Sequence, residues 1–179
     1  MIGLLRFVGI VNAAIWLGAA IFFTFGAGPA IFSGDMRTLL GANNFPFFSG
    51  AIARIILNSY FHFQIACGVV ALLHLAAGKL YLGRPVSKFT VGLLTSLLAI
   101  TLLGGFWLQP KMHDLHVRGY SPKVSVGERA TAMHSFRVWH GISQVINLFV
   151  IGGIIVYVWR VNNPPNPTQF VRPGSKFGG

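Results

Sequence analysis

Acidic side chains are almost missing from this chain. Only three of its 179 residues are Asp or Glu, against 14 Lys and Arg, and charged residues make up 9% of the sequence. No pair of carboxylates, nucleophile–base–acid combination or phosphate-binding loop can be found, and none of the acids lies inside an apolar stretch. We therefore expect a protein without catalysis of its own.

Cysteine is nearly missing too, because Cys67 is the single one and lies within an apolar run. It cannot form an intramolecular disulfide, and we expect it to pack as a small apolar residue at a helix contact. The net charge of +11 could indicate nucleic acid, but no basic run interleaves with aromatic residues. We expect no nucleic-acid partner, and basic residues that flank helices and meet anionic lipid.

What the chain has in abundance is long apolar stretches. Four of them, residues 7–32, 55–78, 89–108 and 138–159, carry almost no charge. Each is close to the roughly 20 residues that a bilayer crossing needs, and backbone in lipid must satisfy its own hydrogen bonds. The predicted fold is an all-α, four-helix transmembrane bundle in the lipid bilayer. One domain, residues 1–160, would hold helices at about 3–32, 49–82, 87–108 and 126–160, followed by a Pro-rich extended tail at 161–179.

Prolines and a capping motif predict where the helices bend, start and end. Pro29 follows two glycines and predicts a loosened or kinked turn, whereas Pro110 predicts the end of helix three. Residues 33–48 and 111–124 are then predicted loops. Ser125 and Glu128 have capping-box spacing, so helix four should start near residue 126.

Four crossings place both termini on the same side of the membrane. The basic residues on that side have no acidic neighbours, and all three acids fall on the other side. The positive-inside rule then predicts that both termini are cytoplasmic. The expected location is the inner membrane of a bacterium.

Polar side chains form one stripe on each of two predicted helices, and intramembrane polar groups are costly enough to indicate function. Both stripes begin on the same side, because helices two and four run in the same direction, so a polar pocket should form if they face each other. The stripes are Arg54, Asn58 and His62 on helix two, and Arg137, His140, Gln144 and Asn147, with Ser143 beside them, on helix four.

Three interpretations of this pocket stay open. The polar groups could hydrogen-bond between helices and specify packing. A haem b could be ligated by His62, His140 or His134, with arginines at its propionates. A quinone, another pigment or a small anion could also be bound there. The expected offset of about 7 Å between His62 and His140 argues against an easy two-histidine metal ligation.

A second group of candidate ligands lies outside the apolar stretches. Thioether and imidazole groups gather near one mouth of the predicted bundle, and such soft ligands suit copper. The sequence therefore offers a possible metal site, at Met112, His113, His116, Met133 and His134.

The run from Phe136 to Asn147 resembles the last-helix signature F-x-x-x-H-G-x-S-x-x-x-N of an uncharacterised family of four-helix membrane proteins. This family includes bacterial proteins with a domain of unknown function and transmembrane protein 205-like proteins. Helix one is similar as well, with W-L-G at residues 16–18, F-F at 22–23 and a proline at 29. More distantly, the chain resembles copper-resistance D-like proteins and haem-binding membrane oxidases.

The resemblance implies a four-helix fold, with His140, Ser143 and Asn147 as the polar residues of the motif, and no settled activity. Our leading prediction is a small non-catalytic subunit of a larger membrane assembly. The tail at 161–179 would dock it partly to other membrane subunits. The alternatives are a haem-, pigment- or quinone-binding electron-transfer protein and a copper-handling membrane protein.

Overall fold

A computed structural model describes residues 2–83 and 85–163 of the chain. Within that part the fold is all-helical, and the predicted fold class is confirmed. Four helical spans are long and apolar enough to cross a membrane: Gly3–Ile31, Phe45–Tyr81, Lys88–Tyr120 and Val126–Asn162. Residues 164–179 of the predicted tail, and Arg84 between predicted helices two and three, lie outside the described residues.

Among the described residues, six α-helical segments and two π-helical turns build these spans, and a seventh, short α-helix lies between the first and second span. The first span consists of α1 (Ile2–Phe22), a π turn (Phe23–Ala27) and α2 (Gly28–Ile31). The short α3 (Gly34–Leu40) leads to the long α4 (Phe45–Leu82). The third span consists of α5 (Lys88–Leu103), a second π turn (Gly104–Leu108) and α6 (Gln109–Tyr120), and α7 (Val126–Asn162) follows.

Both π turns lie just before a proline, and they change the predicted helix ends. Pro29 and Pro110 each follow a π turn at the second position of the next α-helix. A proline lacks the backbone N–H and clashes with the carbonyl four residues earlier, and a wider π turn relieves both conflicts. The prediction that Pro110 ends helix three is wrong, since the helix continues to Tyr120 and includes most of the predicted loop at 111–124.

Two other boundaries also differ from expectation. The predicted loop at 33–48 contains α3, and α4 begins at Phe45 rather than near residue 49. Pro46 is tolerated there because first-turn N–H groups have no helical partner anyway. The predicted capping box is confirmed: the Glu128 N–H donates to Ser125 Oγ over 3.3 Å, and the Ser125 N–H donates to Glu128 Oε2 over 3.1 Å.

The core of the bundle lies where α1, α4, α5 and α7 meet. Trp16, Leu94, Ile154 and Tyr157 are fully buried there, and Cys67 packs among them as expected. Outward-facing side chains are apolar as well: Phe149 is 74% exposed. An apolar outer surface is compatible with contact to lipid, because lipid tails offer no hydrogen-bond partners to polar side chains.

Candidate functional site

A cavity of about 400 Å³ opens in one half of the bundle, between the end of the first span, α4, the third span and α7. This half contains the ends of the first and third spans and the beginnings of the second and fourth. Its walls are mostly apolar, with Leu57, Phe61, Ile146 and Val150 among them. Polar groups occur at its inner floor and its outer end, and they are the parts that could orient a ligand.

The floor of the cavity begins with a buried hydrogen-bond chain between α1 and α4. Trp16 Nε1 donates to Gln64 Oε1, and Gln64 Nε2 donates to the Tyr60 hydroxyl. An indole N–H can only donate, so it fixes the Gln64 oxygen towards Trp16 and the amide nitrogen towards Tyr60. The exposed fractions of Trp16 and Gln64 are 0% and 2%, so leaving either group unpaired would be costly.

The hydrogen-bond chain continues from α4 to α7 and returns to the first span. The Tyr60 hydroxyl donates to Asn147 Oδ1 over 3.2 Å, and Asn147 Nδ2 donates to Thr24 Oγ1 over 2.7 Å. Thr24 Oγ1 in turn donates to the Ala20 carbonyl over 2.7 Å. Every hydrogen bond of the chain therefore points the same way, and Gln64 and Asn147 each keep a second amide N–H that a ligand could use.

Both π turns border the cavity, which links the backbone irregularities to the site. Phe23 and Thr24 come from the first π turn, and Gly104 and Leu108 from the second. A Cβ added to Gly104 would lie 2.6 Å from the Phe61 ring, so only glycine allows α4 to approach the second π turn this closely. Single π turns are frequent at functional sites, where they displace side chains from the regular helical register.

The outer end of the cavity holds a cross-link between α4 and α6. Arg54 Nη1 lies 3.0 Å from His113 Nε2, and Gln109 Nε2 donates to the Arg54 carbonyl over 3.2 Å. A guanidinium can only donate, so His113 Nε2 accepts and its ring proton lies on Nδ1. The remaining guanidinium N–H groups stay available as donors at the cavity mouth.

His116 lies beside this cross-link but is chiefly a packing residue. Its ring is 7% exposed and stacks on Phe47, with 5.5 Å between ring centroids. A Cβ on Gly50 would lie 2.3 Å from His116 Nε2, so this glycine makes room for the ring. His116 Nε2 is also 3.5 Å from the Pro46 carbonyl, and the ring thereby joins α6 to the first turn of α4.

α7 supplies the polar residues of the helix-four motif to the cavity wall. His140, Ser143, Gln144 and Asn147 all line it. Gln144 Nε2 is 3.1 Å from His140 Nε2, and the His140 ring stacks on Phe136 with 5.9 Å between centroids. The Ser143 hydroxyl donates to the His140 carbonyl over 2.7 Å, whereas the Gln144 side chain is exposed.

The structure does not bring the two predicted stripes together as expected. Arg54 lines the cavity, but Asn58 and His62 are exposed on another face of α4, where His62 Nδ1 lies 2.8 Å from the Asn58 carbonyl. His62 and the cavity residue Gln64 are about 160° apart around the helix. Arg137 is exposed as well, and its Nε donates to the Met133 carbonyl. A haem held between His62 and His140 has no support in this arrangement.

The predicted copper ligands are also divided between two places. Met112, His113 and His116 line the cavity, whereas His134 is exposed and Met133 packs against Gly119. Among residues 2–83 and 85–163, no group of three or more His, Cys, Asp or Glu side chains is arranged to hold a metal ion.

The sequence analysis does not identify the hydrogen-bond chain at the floor of the cavity. Its side chains are hydrogen-bonding residues inside apolar stretches, namely Trp16, Thr24, Tyr60 and Gln64. Tyr60 and Gln64 are also spaced i, i+4, a spacing that places two side chains on one helical face. That spacing was the available signal, and it lay beside the more conspicuous charged stripe.

The fold and the cavity define an all-helical, membrane-type protein with a mixed polar and apolar cavity in one half of its bundle. Residues 11–121 match the family described as Domain of unknown function (DUF4149), and the chain belongs to this family. The match includes the helix-one pattern and ends before α7, which carries the other predicted signature. No curated protein matches the chain, and no solved structure does. The likeness to transmembrane protein 205-like and copper-resistance D-like proteins stays a prediction.

Proposed function

We propose that this protein is a non-catalytic integral membrane protein that binds one small amphipathic molecule, of quinone type, in the large cavity. The observation that carries the proposal is an apolar cavity of about 400 Å³ with hydrogen-bond donors at both ends. Ligand sites in proteins are commonly apolar clefts of roughly 300–1,000 Å³ with a few convergent polar groups.

The polar groups favour a ligand that accepts hydrogen bonds. Arg54 at the outer end can only donate, and Gln64 and Asn147 at the floor each keep one amide N–H. No Asp or Glu is among the described residues that line the cavity, so a cationic ligand would lack a counter-charge. Carbonyl oxygens on an apolar ring, as in a quinone, match these donors and the apolar walls between them.

A titration with matched variants tests this proposal. The full chain is purified in neutral detergent and titrated with a ubiquinone analogue that carries a short isoprenoid tail, with quenching of tryptophan fluorescence as the signal. His140→Phe changes a histidine of the cavity wall, and His62→Phe makes the same change on the exposed face of α4. Asn147→Leu and Asn58→Leu form a second pair of the same kind.

We expect saturable binding that His140→Phe and Asn147→Leu weaken about tenfold, since a hydrogen bond to a bound ligand contributes about 1.5 kcal/mol. His62→Phe and Asn58→Leu should leave the Kd unchanged. Absence of saturable binding, or equal effects within each pair, would contradict the proposal. A haem or copper band in the absorption spectrum of the purified protein would instead support one of the alternatives drawn from the sequence.

A role as a subunit of a larger membrane assembly is a second candidate. It is supported by apolar side chains exposed beyond the predicted apolar stretches, of which Leu39 and Val126 are 78% and 74% exposed. Large exposed apolar side chains outside lipid commonly mark a protein interface. The proposal extends to the tail at 161–179, with Phe170, Val171 and Phe177 as apolar anchors.

Truncation after Arg160 tests this second candidate. The truncated protein should still insert in the membrane but retain less of its neighbouring subunits on purification. A control that replaces residues 161–179 with a Gly/Ser linker of the same length separates the effect of sequence from that of length. Recovery of the same neighbours at full yield with the truncated chain would contradict a docking role.

A further inference from the structure

A second cavity lies at the opposite end of the bundle, and cations surround it. Its volume is about 150 Å³, and Arg6, Lys79 and Arg160 line it together with Ser87 and Thr90. No Asp or Glu is among its described lining residues. The three acids of the sequence, at positions 35, 114 and 128, all belong to segments at the other end of the bundle.

Helix dipoles explain the positions of only two of these three cations. Lys79 and Arg160 lie in the last turns of α4 and α7, where a cation is favourable because the carbonyl end of a helix is partially negative. Arg6 lies near the start of α1, at the end where the dipole disfavours a cation. Three like charges therefore converge on one cavity without a counter-charge among the described residues, and an anion would relieve their repulsion.

Neutral donors and a stacked arginine complete the site. Ser87 is the N-cap of α5, yet its side chain makes no capping hydrogen bond, so first-turn N–H groups of α5 stay available at the cavity edge. Thr90, in that first turn, is 7% exposed. Arg160 stacks over the Phe89 ring, with Cζ 4.8 Å from the centroid, which holds the guanidinium in place beside the cavity.

From this arrangement we propose that the second cavity binds a phosphate group, as carried by an anionic phospholipid headgroup or by free phosphate. Arginine and lysine side chains and helix N-terminal N–H groups are the donors that proteins use for phosphate. The cavity lies where the apolar spans end, which in a bilayer corresponds to the headgroup region. Basic pockets between membrane helices commonly hold acidic headgroups. This inference is independent of the quinone proposal, because the two cavities share no lining residue.

Native mass spectrometry of the full chain in neutral detergent tests the phosphate site. The probes are dihexanoyl phosphatidylglycerol, dihexanoyl phosphatidylcholine and inorganic phosphate. Lys79→Gln and Arg160→Gln each remove one charge from the cavity, and Lys123→Gln and Arg37→Gln remove the same charges from exposed positions at the other end of the bundle.

We expect one equivalent of phosphatidylglycerol to be retained, and both cavity variants to weaken retention about tenfold, as for the loss of a charge-assisted hydrogen bond. The two control variants should behave as the wild type. Displacement of the lipid by inorganic phosphate would identify free phosphate as a ligand of the same site, whereas resistance to it would identify the headgroup. The proposal would be overturned if cavity and control variants retained phosphatidylglycerol equally, or if the wild type retained phosphatidylcholine as well as phosphatidylglycerol. It would also be overturned if neither phosphatidylglycerol nor inorganic phosphate were retained.

Discussion

The two ends of the bundle are built from the same helices but differ in shape and chemistry. At one end two π turns border a cavity of about 400 Å³ with apolar walls and a buried polar chain at its floor. At the other end the described helices are regular, and the cavity of about 150 Å³ is rimmed by cations. The comparison indicates that widened helical turns create volume inside a bundle, whereas charge at helix ends creates a site without much volume.

The two ends nevertheless share a packing device. We call the end with the larger cavity, lined by Leu57 and Phe61, the wide end, and the end with the cavity lined by Lys79 and Arg160 the cationic end. His74 of α4 lies against Gly9 of α1 at the cationic end, and His116 of α6 lies against Gly50 of α4 at the wide end. In both cases a glycine allows an imidazole ring to lie directly on a neighbouring helix. The device joins helices at each end, so it does not by itself distinguish the two sites.

The largest expected contrast between the ends is their side of the membrane. In a Cys67→Ala background, Ser121→Cys should react completely with a membrane-impermeant thiol reagent in intact cells, because the positive-inside rule places the cationic end in the cytoplasm. Ser87→Cys at the cationic end should react only in inverted vesicles. Labelling of Ser121→Cys in inverted vesicles alone would show that the orientation is reversed.

The next largest effect should come from breaking the polar chain at the wide end. Gln64→Leu removes two buried hydrogen bonds and leaves the Trp16 N–H without a partner, so the free energy of unfolding in mixed micelles should fall by about 2–4 kcal/mol. Gln144→Leu, the same change at an exposed position on α7, should alter stability by less than about 0.5 kcal/mol. Equal effects of the two variants would mean that the chain is not a structural element.

The sequence predicted the helices well because their apolar length is a local property. The predicted α7 stripe is divided in the structure, since His140, Ser143 and Asn147 line the cavity whereas Arg137 is exposed. The sequence failed for the rotation of α4, which is set by contacts such as Phe61 against Gly104 rather than by the charged stripe that includes His62. It also could not show the Trp16–Gln64 bond, because that pairing depends on which helices are neighbours.

The failure at Pro110 has a different physical origin. Local rules state that proline lacks a donor and clashes with the preceding turn, and those rules hold here. The conflict is resolved by a wider turn at Gly104–Leu108 instead of by a helix end. A π turn also precedes Pro29, at Phe23–Ala27. Both π turns border the larger cavity.

Smaller effects are expected from the glycines under the two histidine rings. Gly50→Ala should lower the free energy of unfolding by about 1–3 kcal/mol, because the new Cβ would overlap a His116 ring that is held by Phe47. Gly92→Ala has no neighbour within 4 Å and should be neutral or slightly stabilising. Gly9→Ala makes the same test at the cationic end, where His74 lies against Gly9. If Gly9→Ala lowers the free energy of unfolding by no more than Gly92→Ala does, the packing of His74 on Gly9 is contradicted.

The smallest effect concerns a cation that lies over two aromatic rings, at the end of the bundle with the larger cavity. Lys111 Nζ lies 3.9 Å from the Trp139 ring centroid and 5.0 Å from that of Trp107. Lys111→Gln should cost about 0.5–1 kcal/mol in thermal unfolding. Lys111→Arg keeps the charge and should retain most of the stability, and equal losses in both variants would point to shape rather than charge.

Photolabelling tests the central claim, that the wide cavity is a ligand site, most directly. The full chain is irradiated with an azidoquinone, and the modified residues are mapped by peptide mass spectrometry, with and without excess unlabelled quinone. Competable labelling is expected at residues of α4 and α7 that line the cavity of about 400 Å³, such as Leu57, Phe61 and Ile146, and not at Asn58 or His62. Competable labelling confined to the exposed face of α4 around Asn58 and His62, or no competable labelling at all, would contradict this claim.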